Sequence, residues 1–347
     1  MSDPVVVKFG SSLIVGPRGR VRRAVLRARA GEIGTLVRSG TPVCVVSSGA
    51  IALGLPRMGL DRRPRSLPKL QAASALGQAR LQRVWELALA AEDLEAAQIL
   101  LTAGDVADRA AYVNARNALR ALFGLGAVPI VNENDATATD EITFGDNDAL
   151  AAQVAVLVRA RLLVLLTEVD GVYTRAPGTP GAELVGEGSR VHAAELSEPS
   201  PLGRGGMQSK VLAAEMAAAA GIPTVIAAGA ASSVLGPIVA GEERGTRFPP
   251  APQVLPAYKL WLRFGKPVVA RLHVDEGARR AVAEDGRSLL AVGVVACEGS
   301  FDAGDAVELV APSGDVFAKG IAGAARAEIV SRIRGLEAIH RDRLVVY

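Results

Sequence analysis

Short apolar runs and longer stretches of helical length alternate through the first 228 residues, and this alternation constrains the fold more than any other feature. Each run is rich in valine, isoleucine or leucine, which is typical of a buried strand. The six runs are VVV (5–7), VCVV (43–46), AQILL (97–101), VPIV (128–131), LLVLL (162–166) and TVIAA (224–228). The alanine- and leucine-rich stretches between them include Arg22–Arg38, Ser66–Ala90, Tyr112–Phe123, Asp146–Arg159 and Met207–Ala220. Strands that alternate with helices predict an α/β fold, in which a mainly parallel open sheet is sandwiched by helices.

The texture of the sequence changes after residue 247. The segment FPPAPQVLP (248–256) holds four prolines in nine residues, and we predict a stiff linker at 248–257. Beyond it, short alternating runs broken by glycine, aspartate and serine predict a small β-rich domain at 258–347, with one short helix near Glu276–Glu284. The chain is therefore expected to divide into a large α/β domain at 1–247, the linker and the small domain.

Composition and charge exclude several classes of protein. Half of the residues are apolar and 22% are charged, so the chain can bury a sizeable core. A net charge of only +3 favours neither an obligatory nucleic-acid partner nor a membrane surface. Two distant cysteines, Cys44 and Cys297, provide neither a disulfide framework nor a metal-binding spacing. The N-terminus lacks a signal-peptide pattern and no uncharged apolar run approaches about 18 residues, so we expect a cytoplasmic protein without a membrane span or a protein-held metal.

Polar residues follow four of the apolar runs at the points where the strands should end. They are Lys8, Gly10, Ser48, Gly49, Asn132, Asp135, Thr167 and Glu168. Because ligands of open α/β sheets bind outside the carboxyl ends of the strands, we expect these residues to converge on one edge. A glycine at such a position lets a backbone N–H approach an anion, although it is equally compatible with an ordinary turn.

A second anion-binding signal is the segment LGRGGMQSKVLAAEMAAAAG (202–221), in which a glycine-rich loop leads into a helix that starts near Met207. Backbone N–H groups and the helix dipole make such an N-terminus a phosphate site, and Lys210 falls in its first turn. The segment matches neither the Walker A pattern nor the dinucleotide-binding fingerprint. A flexible loop with a surface lysine is the alternative.

The segment VNENDATATDEITFGDNDAL (131–150) gathers six carboxylates between apolar stretches. Charge at this density excludes a place in the core, and it indicates either a solvated loop or a site where charge is used. Asp140 and Glu141 suit a solvated hairpin, and Asp146 suits the N-cap of the following helix.

Five segments, in this order, resemble the glutamate 5-kinases of the amino acid kinase family: VVVKFGSSLI, VVSSGAIALG, VNENDA with FGDNDALAAQVA, LLTEVDGVYT, and GRGGMQSKVLAAEMA. The resemblance covers nearly the whole chain, and the segments LHVDEGARRAV and FDAGDAVELV resemble the PUA domain. It implies that the chain phosphorylates the γ-carboxylate of L-glutamate with ATP and Mg²⁺, the first step towards proline. It also implies feedback inhibition by proline and a homo-oligomer, either dimer or tetramer.

The resemblance gives roles to the residues noted above. It implies that Lys8 and Lys210 hold the transferring phosphoryl group and that Asp148 orients both lysines. The residues that it implies for glutamate binding are Ser48, Asn132, Asp135 and Asn147. Those that it implies at the nucleotide are Lys8, Gly10, Gly49, Thr167, Glu168, Arg204, Gly205, Gly206, Met207, Gln208, Ser209 and Lys210. The chain departs from the family at Glu168, where an aspartate is common, and at Arg204, where a smaller residue is common.

Two alternative functions stay open at this point. One is another kinase of the same family, acting on acetylglutamate, aspartate, carbamate or a nucleoside monophosphate, although the VNENDA and GDND motifs favour free glutamate. The other is RNA binding through the PUA domain. Residues 258–347 carry 13 basic and 12 acidic side chains, and this near balance argues against a surface that follows phosphates.

Overall fold

The computed structural model describes residues 2–137, 147–188 and 206–347. The chain forms two compact units, Met1–Val254 and Leu255–Tyr347. Several residues noted in the sequence lie outside the described residues, namely Asp140, Glu141, Asp146, Arg204 and Gly205.

Within the described part of the larger unit, seven strands form one sheet: β1 (Val5–Phe9), β2 (Val43–Ser47), β3 (Ala96–Leu101), β4 (Val128–Glu133), β5 (Leu162–Thr167), β6 (Thr224–Ala228) and β7 (Thr246–Phe248). Their order across the sheet is β3-β4-β2-β1-β5-β6-β7. The pairs among the first six are parallel, and β7 runs antiparallel to β6. The predicted mainly parallel sheet is confirmed, with β1 at its centre.

In the described part of this unit the helices are α1 (Ser11–Ile14), α2 (Arg23–Arg38), α3 (Ala50–Gly54), α4 (Leu67–Ala90), α5 (Ala103–Ala107), α6 (Arg109–Gly124), α7 (Asn147–Val158), α8 (Met207–Ala219) and α9 (Leu235–Ala240). The five long helices lie close to the stretches predicted from the sequence. The short helices α1 and α3 were not predicted, because elements of four and five residues are too short to display a helical period.

The core of the larger unit fixes the ends of its two central strands. All five residues of β1 are buried, as are all five of β2. Trp85 of α4 is fully buried, and its ring meets the ring of Phe9 edge-on, with centroids 4.8 Å apart. Its indole N–H donates a hydrogen bond to Ser47 Oγ at 2.9 Å. Since Phe9 and Ser47 are the last residues of β1 and β2, this one side chain anchors the edge at which both strands end.

Helices α3 and α4 pack backbone against backbone through two glycines. A Cβ atom added at Gly54 would lie 1.8 Å from Ala73 O, and one added at Gly77 would lie 1.8 Å from Ala50 O. No larger side chain fits at either position without moving the helices apart. The contact therefore holds α4 directly against the helix that follows β2.

The smaller unit contains β8 (Val268–Val274), β9 (Leu289–Leu290), β10 (Val294–Glu298), β11 (Ala306–Val310), β12 (Val316–Ile321), β13 (Glu337–Ile339) and β14 (Leu344–Val346). They form a five-stranded sheet, β10-β8-β11-β12-β14, and a two-stranded sheet, β13-β9. The helices are α10 (Ala257–Leu260), α11 (Glu276–Ala283) and α12 (Arg326–Val330), with a π-helical segment at Trp261–Gly265. This is the β-rich domain expected from the sequence, and α11 is the predicted helix.

The predicted linker, 248–257, begins at the last residue of β7 and ends at the first residue of α10. The domain limits given from the sequence stay predictions. None of the helices in the described part of the chain is long and apolar enough to cross a membrane.

Candidate active site

The carboxyl ends of four neighbouring strands carry the polar residues that the sequence singles out. Lys8 is the next-to-last residue of β1, Asn132 is the next-to-last of β4 and Thr167 is the last of β5. Ser48 follows β2 directly, and its backbone N–H donates to Phe9 O at 3.1 Å. In the sheet order these strands stand side by side as β4-β2-β1-β5. The four residues therefore lie along one edge of the sheet.

Asp148 brings together two lysines that are far apart in the chain. Lys8 Nζ lies 2.5 Å from Asp148 Oδ1, and Lys210 Nζ lies 3.0 Å from Asp148 Oδ2. Ser209 Oγ lies 2.9 Å from the same Oδ2 atom. Lys8, Asp148 and Lys210 are 2%, 0% and 6% exposed, respectively. One buried carboxylate is thus flanked by an ammonium group on each of its oxygens.

The elements that carry these residues favour this arrangement of charge. Asp148 lies in the first turn of α7, where the positive end of the helix dipole stabilises a carboxylate. Two ammonium groups and one carboxylate carry one positive charge between them. Buried charge is retained only where it is well paired or where a ligand completes the pairing. The cluster is therefore suited to hold an anion.

Helix α8 directs its N-terminus at the same cluster. Gly206 precedes the helix with an extended backbone, at φ −84° and ψ −171°, and Met207 and Gln208 open it. Ser209 and Lys210 complete the first turn and contact Asp148, as given above. The first N–H groups of a helix have no partner within it, so the end of α8 adds backbone donors beside the lysines.

A chain of side-chain amides extends from the neighbour of Asp148. Asn147 Nδ2 donates to Ser48 Oγ at 2.9 Å and to Asn132 Oδ1 at 3.0 Å. Asn132 Nδ2 donates in turn to Gln78 Oε1 of α4 at 2.8 Å. Asn147 Oδ1 and Gln78 Nε2 are buried and have no hydrogen-bond partner among the described residues. Buried polar atoms of this kind normally have a partner, so the pair indicates a polar ligand.

Asp135 lies beyond the end of β4 and is held by the same helix. Ser74 of α4 donates its hydroxyl to Asp135 Oδ2 at 2.5 Å. Burial raises the pKa of the Asp135 carboxyl, and the hydrogen bond from Ser74 and the charge of Arg63 oppose that rise in pKa. A half-buried carboxylate at this point offers an acceptor for a cationic group.

The residues expected at the nucleotide occupy the turns after β1, β2 and β5. Gly10 precedes α1, and Gly49 precedes α3 with φ at +116°, a conformation in which a side chain would be strained. Glu168 follows Thr167, and its Oε1 atom lies 3.4 Å from Nη2 of Arg22. Glu168, at which the chain differs from the aspartate common in the family, thus forms a partly exposed ion pair with Arg22. The nucleotide roles of these residues stay predictions.

The sequence did not point to Ser74 and Gln78. They lie one helical turn apart on α4, far along the chain from their partners Asp135 and Asn132. The only local signal is a pair of polar residues spaced four apart beside Gly77 in a helix of mostly apolar residues. That pattern is equally typical of a solvated helix face.

Each of the two units matches a known protein family. Residues 3–228 match the sequence profile of the amino acid kinase family, and residues 270–342 match that of the PUA domain. The glutamate 5-kinase of Syntrophotalea carbinolica is 42% identical over 99% of this chain and 96% of its own length. The glutamate 5-kinase of Thermus thermophilus is also 42% identical, over the same shares of the two chains.

Among solved structures, an isopentenyl phosphate kinase covers 70% of this chain and 99% of its own, with a TM-score of 0.50 and 23% identity. At that identity the similarity concerns the fold alone. It agrees with the parallel sheet and flanking helices described above.

Proposed function

Because the chain belongs to the glutamate 5-kinases of the amino acid kinase family, we propose that it transfers the terminal phosphoryl group of ATP to the γ-carboxylate of L-glutamate. The structural observation that best supports this function is the pair of buried lysines on the two oxygens of Asp148. Next to them lies the chain of side-chain amides, which has polar atoms without a hydrogen-bond partner among the described residues. The first feature suits a phosphoryl group and the second suits an amino acid.

The chemistry requires charge compensation more than proton transfer. A γ-carboxylate has a pKa of about 4.3 in water, so it is already a nucleophile at neutral pH. A carboxylate oxygen bonds to the γ-phosphorus while the bond to the bridging oxygen breaks and ADP leaves. The obstacle is repulsion between two anions. Lys8, Lys210 and the N-terminus of α8 are placed to offset that repulsion by fixed positive charge.

We assign the roles of the site residues on this basis. Lys8 and Lys210 contact the transferring phosphoryl group, and Asp148 fixes the positions of both ammonium groups. Glutamate lies along Ser48, Asn132, Asn147 and Asp135, with its γ-carboxylate towards the lysines. The remaining assigned contacts to the nucleotide are Gly10, Gly49, Thr167, Glu168, Gly206, Met207, Gln208 and Ser209.

Mg²⁺ is proposed to enter with the nucleotide. In the described part of the chain, no group of three or more His, Cys, Asp or Glu side chains could hold a metal ion. The oxygens of Asp148 are each bound by a lysine. Mg²⁺ commonly keeps several waters and is held largely by substrate phosphates, which fits a site without a protein cage.

The direct test is an ADP-release assay with the full-length protein, ATP and Mg²⁺. L-Glutamate, N-acetyl-L-glutamate and L-aspartate are compared, and hydroxylamine traps any acyl phosphate as a hydroxamate. We expect product with L-glutamate alone. A preference for either of the other two substrates would assign the chain to a different reaction of the family.

The family relationship also supports feedback inhibition by proline, a homo-oligomeric state of two or four subunits, and a cytoplasmic location. We propose the first two as properties to be measured in the same preparation. The assay is repeated with proline, and light scattering gives the subunit number. Unchanged rates at high proline, or a monomer at assay concentration, would remove the corresponding proposal.

A further inference from the structure

Gln78 of α4 occupies an end position in the chain of amides. Its Oε1 atom accepts from Asn132, and its Nε2 atom is buried without a partner in the described part of the chain. A buried amide N–H₂ that donates to nothing has lost its hydrogen bonds to water without gaining others in their place. A donor in that state is therefore placed for an acceptor that arrives with a ligand.

The hydrogen bonds of the chain all run in one direction. Asn147 donates to Asn132, and Asn132 donates to Gln78, so each amide carbonyl except the first is occupied by its neighbour. This direction leaves an acceptor, Asn147 Oδ1, at the end next to Asp148 and a donor, Gln78 Nε2, at the far end. The far end is the one away from the lysine cluster.

Helix α4 places a second ligand group near that donor. Ser74 lies one turn before Gln78 on the same side of the helix and holds the carboxylate of Asp135. The carboxylate of Asp135, bonded to Ser74, and the amide N–H₂ of Gln78 are thus held at adjacent turns of α4. They form an acceptor for a cation beside a donor for an anion, which is the complement of the ammonium and carboxylate groups on one α-carbon.

We propose, on the basis of the function proposed above, that Gln78 is a specificity residue whose Nε2 atom donates to the α-carboxylate of the substrate while Asp135 accepts from its α-ammonium group. The substrate lies with its γ-carboxylate at the lysines and its α-carbon at α4. The class of ligand that this site selects is a free α-amino acid with both α-groups charged. An uncharged α-amide offers the same donor a weaker acceptor.

The test compares L-glutamate with its α-amide, L-isoglutamine, which retains the γ-carboxylate. In the full-length wild-type protein, kcat/KM for L-glutamate should exceed that for L-isoglutamine by at least about tenfold, in line with a charge-assisted hydrogen bond. Gln78→Glu keeps an oxygen for Asn132 and replaces the donor by an anion. This variant should have a KM for glutamate that is higher by about 10–100-fold and an unchanged KM for ATP. The ratio of kcat/KM for glutamate to kcat/KM for isoglutamine should be smaller than in the wild-type protein.

Gln82→Glu is the matched control. Gln82 lies one further turn along α4, is buried, and donates through its Nε2 atom to Ala96 O at 3.2 Å. The same substitution there should lower the melting temperature and leave the preference for glutamate over isoglutamine intact. Gln78→Met, of similar length and uncharged, serves as a second variant and should narrow the preference in the same direction.

Two results would overturn the inference. If the wild-type protein has the same kcat/KM for isoglutamine as for glutamate, no donor of the site distinguishes the α-carboxylate from an α-amide. If kcat/KM falls equally for both substrates in the folded Gln78 variants, Gln78 only holds Asn132 in position and does not contact the substrate. Failure of the proposed function is a separate result, because it appears as an absence of glutamate-dependent ADP release in the wild-type protein.

Discussion

Asn147 and Asp148 are adjacent in the chain, yet their side chains belong to different networks. Asn147 donates to Ser48 and Asn132, whereas Asp148 binds the ammonium groups of Lys8 and Lys210. Both residues lie in the first turn of α7. One helical turn therefore fixes the distance between the amides assigned to the amino acid and the lysines assigned to the phosphoryl group.

The first prediction concerns Asp148→Asn. The asparagine has nearly the same shape, but the two buried ammonium groups lose the charge between them. We expect kcat to fall by about 10²–10³ and the free energy of unfolding to fall by about 3–5 kcal/mol. Steady-state kinetics and urea unfolding measure the two effects. A variant with wild-type kcat would show that the cluster does not serve the reaction.

The second prediction concerns the lysines themselves. Lys8→Ala and Lys210→Ala each remove one fixed positive charge at the proposed phosphoryl group, and each should lower kcat by about 10²–10³ or more. Lys69 is an exposed lysine of α4 and provides the matched control. Lys69→Ala should retain full activity, and circular dichroism of all three variants establishes that they are folded. Near-normal turnover in either site variant contradicts the assigned roles.

The third prediction is a pH dependence that originates at Asp135. Burial raises the pKa of its carboxyl, so as pH falls the group becomes neutral at a higher pH than an ordinary aspartate and no longer attracts an ammonium group. The ratio kcat/KM for glutamate should therefore decline on the acid side of its profile. Because the hydrogen bond from Ser74 lowers the pKa, Ser74→Ala should move this decline to higher pH.

Two outcomes decide whether protonation of Asp135 causes the decline of kcat/KM on the acid side. Asp135→Asn should weaken glutamate binding at every pH and remove the acid-side decline. An unchanged profile in both variants would assign the decline to another group, such as the substrate itself. The KM for ATP, measured over the same pH range, provides the internal control.

The sequence predicted the sheet well because parallel strands buried on both faces leave continuous apolar runs. The same reasoning located Lys8, Ser48 and Asn132 at one edge, since each residue follows such a run. The meeting of Lys8 with Lys210 on Asp148 was implied only by the family resemblance. No local pattern specifies that β1 lies at the centre of the sheet, with β2 and β5 beside it.

Ser74 and Gln78 could not be predicted in this way. Their partners, Asp135 and Asn132, lie just beyond and at the end of β4. A polar residue in a helix has the same local appearance whether it faces a site or water. The contact between α3 and α4 could not be predicted from the sequence for a related reason. Gly54 and Gly77 each weaken a helix by intrinsic propensity, and only the close approach of the two backbones explains their presence.

The fourth prediction concerns that contact. Gly77→Ala would bring a Cβ atom to 1.8 Å from Ala50 O and must move α4, which carries Ser74 and Gln78. We expect a lower melting temperature and a higher KM for glutamate, with a smaller effect on KM for ATP. Gly124→Ala, at the end of α6 where a Cβ atom meets nothing within 4 Å, is the control. It should leave both KM values unchanged and slightly raise stability. A Gly77→Ala variant that matches this control would contradict the steric argument.

The fifth prediction concerns Lys319 of the smaller unit. Its Nζ atom donates to Lys266 O at 2.5 Å and Arg263 O at 3.3 Å, at the end of the π-helical segment. Burial lowers the pKa of this lysine from 10.5 to about 8, with the charge of Glu308 opposing the change. Between pH 8 and pH 10.5 the unfolded chain therefore binds more protons than the folded one at this residue, and the free energy of unfolding gains a term that rises with pH.

Lys319→Met isolates that term, because every other titrating group is common to both proteins. The difference in free energy of unfolding, wild type minus variant, should increase as pH rises from about 8 towards 10 and should be constant below pH 7. Urea unfolding of the two full-length proteins at several pH values gives the difference directly. A difference that stays constant through pH 10 would mean that the folded and unfolded states bind the Lys319 proton equally, and it would contradict the lowering of this pKa by burial.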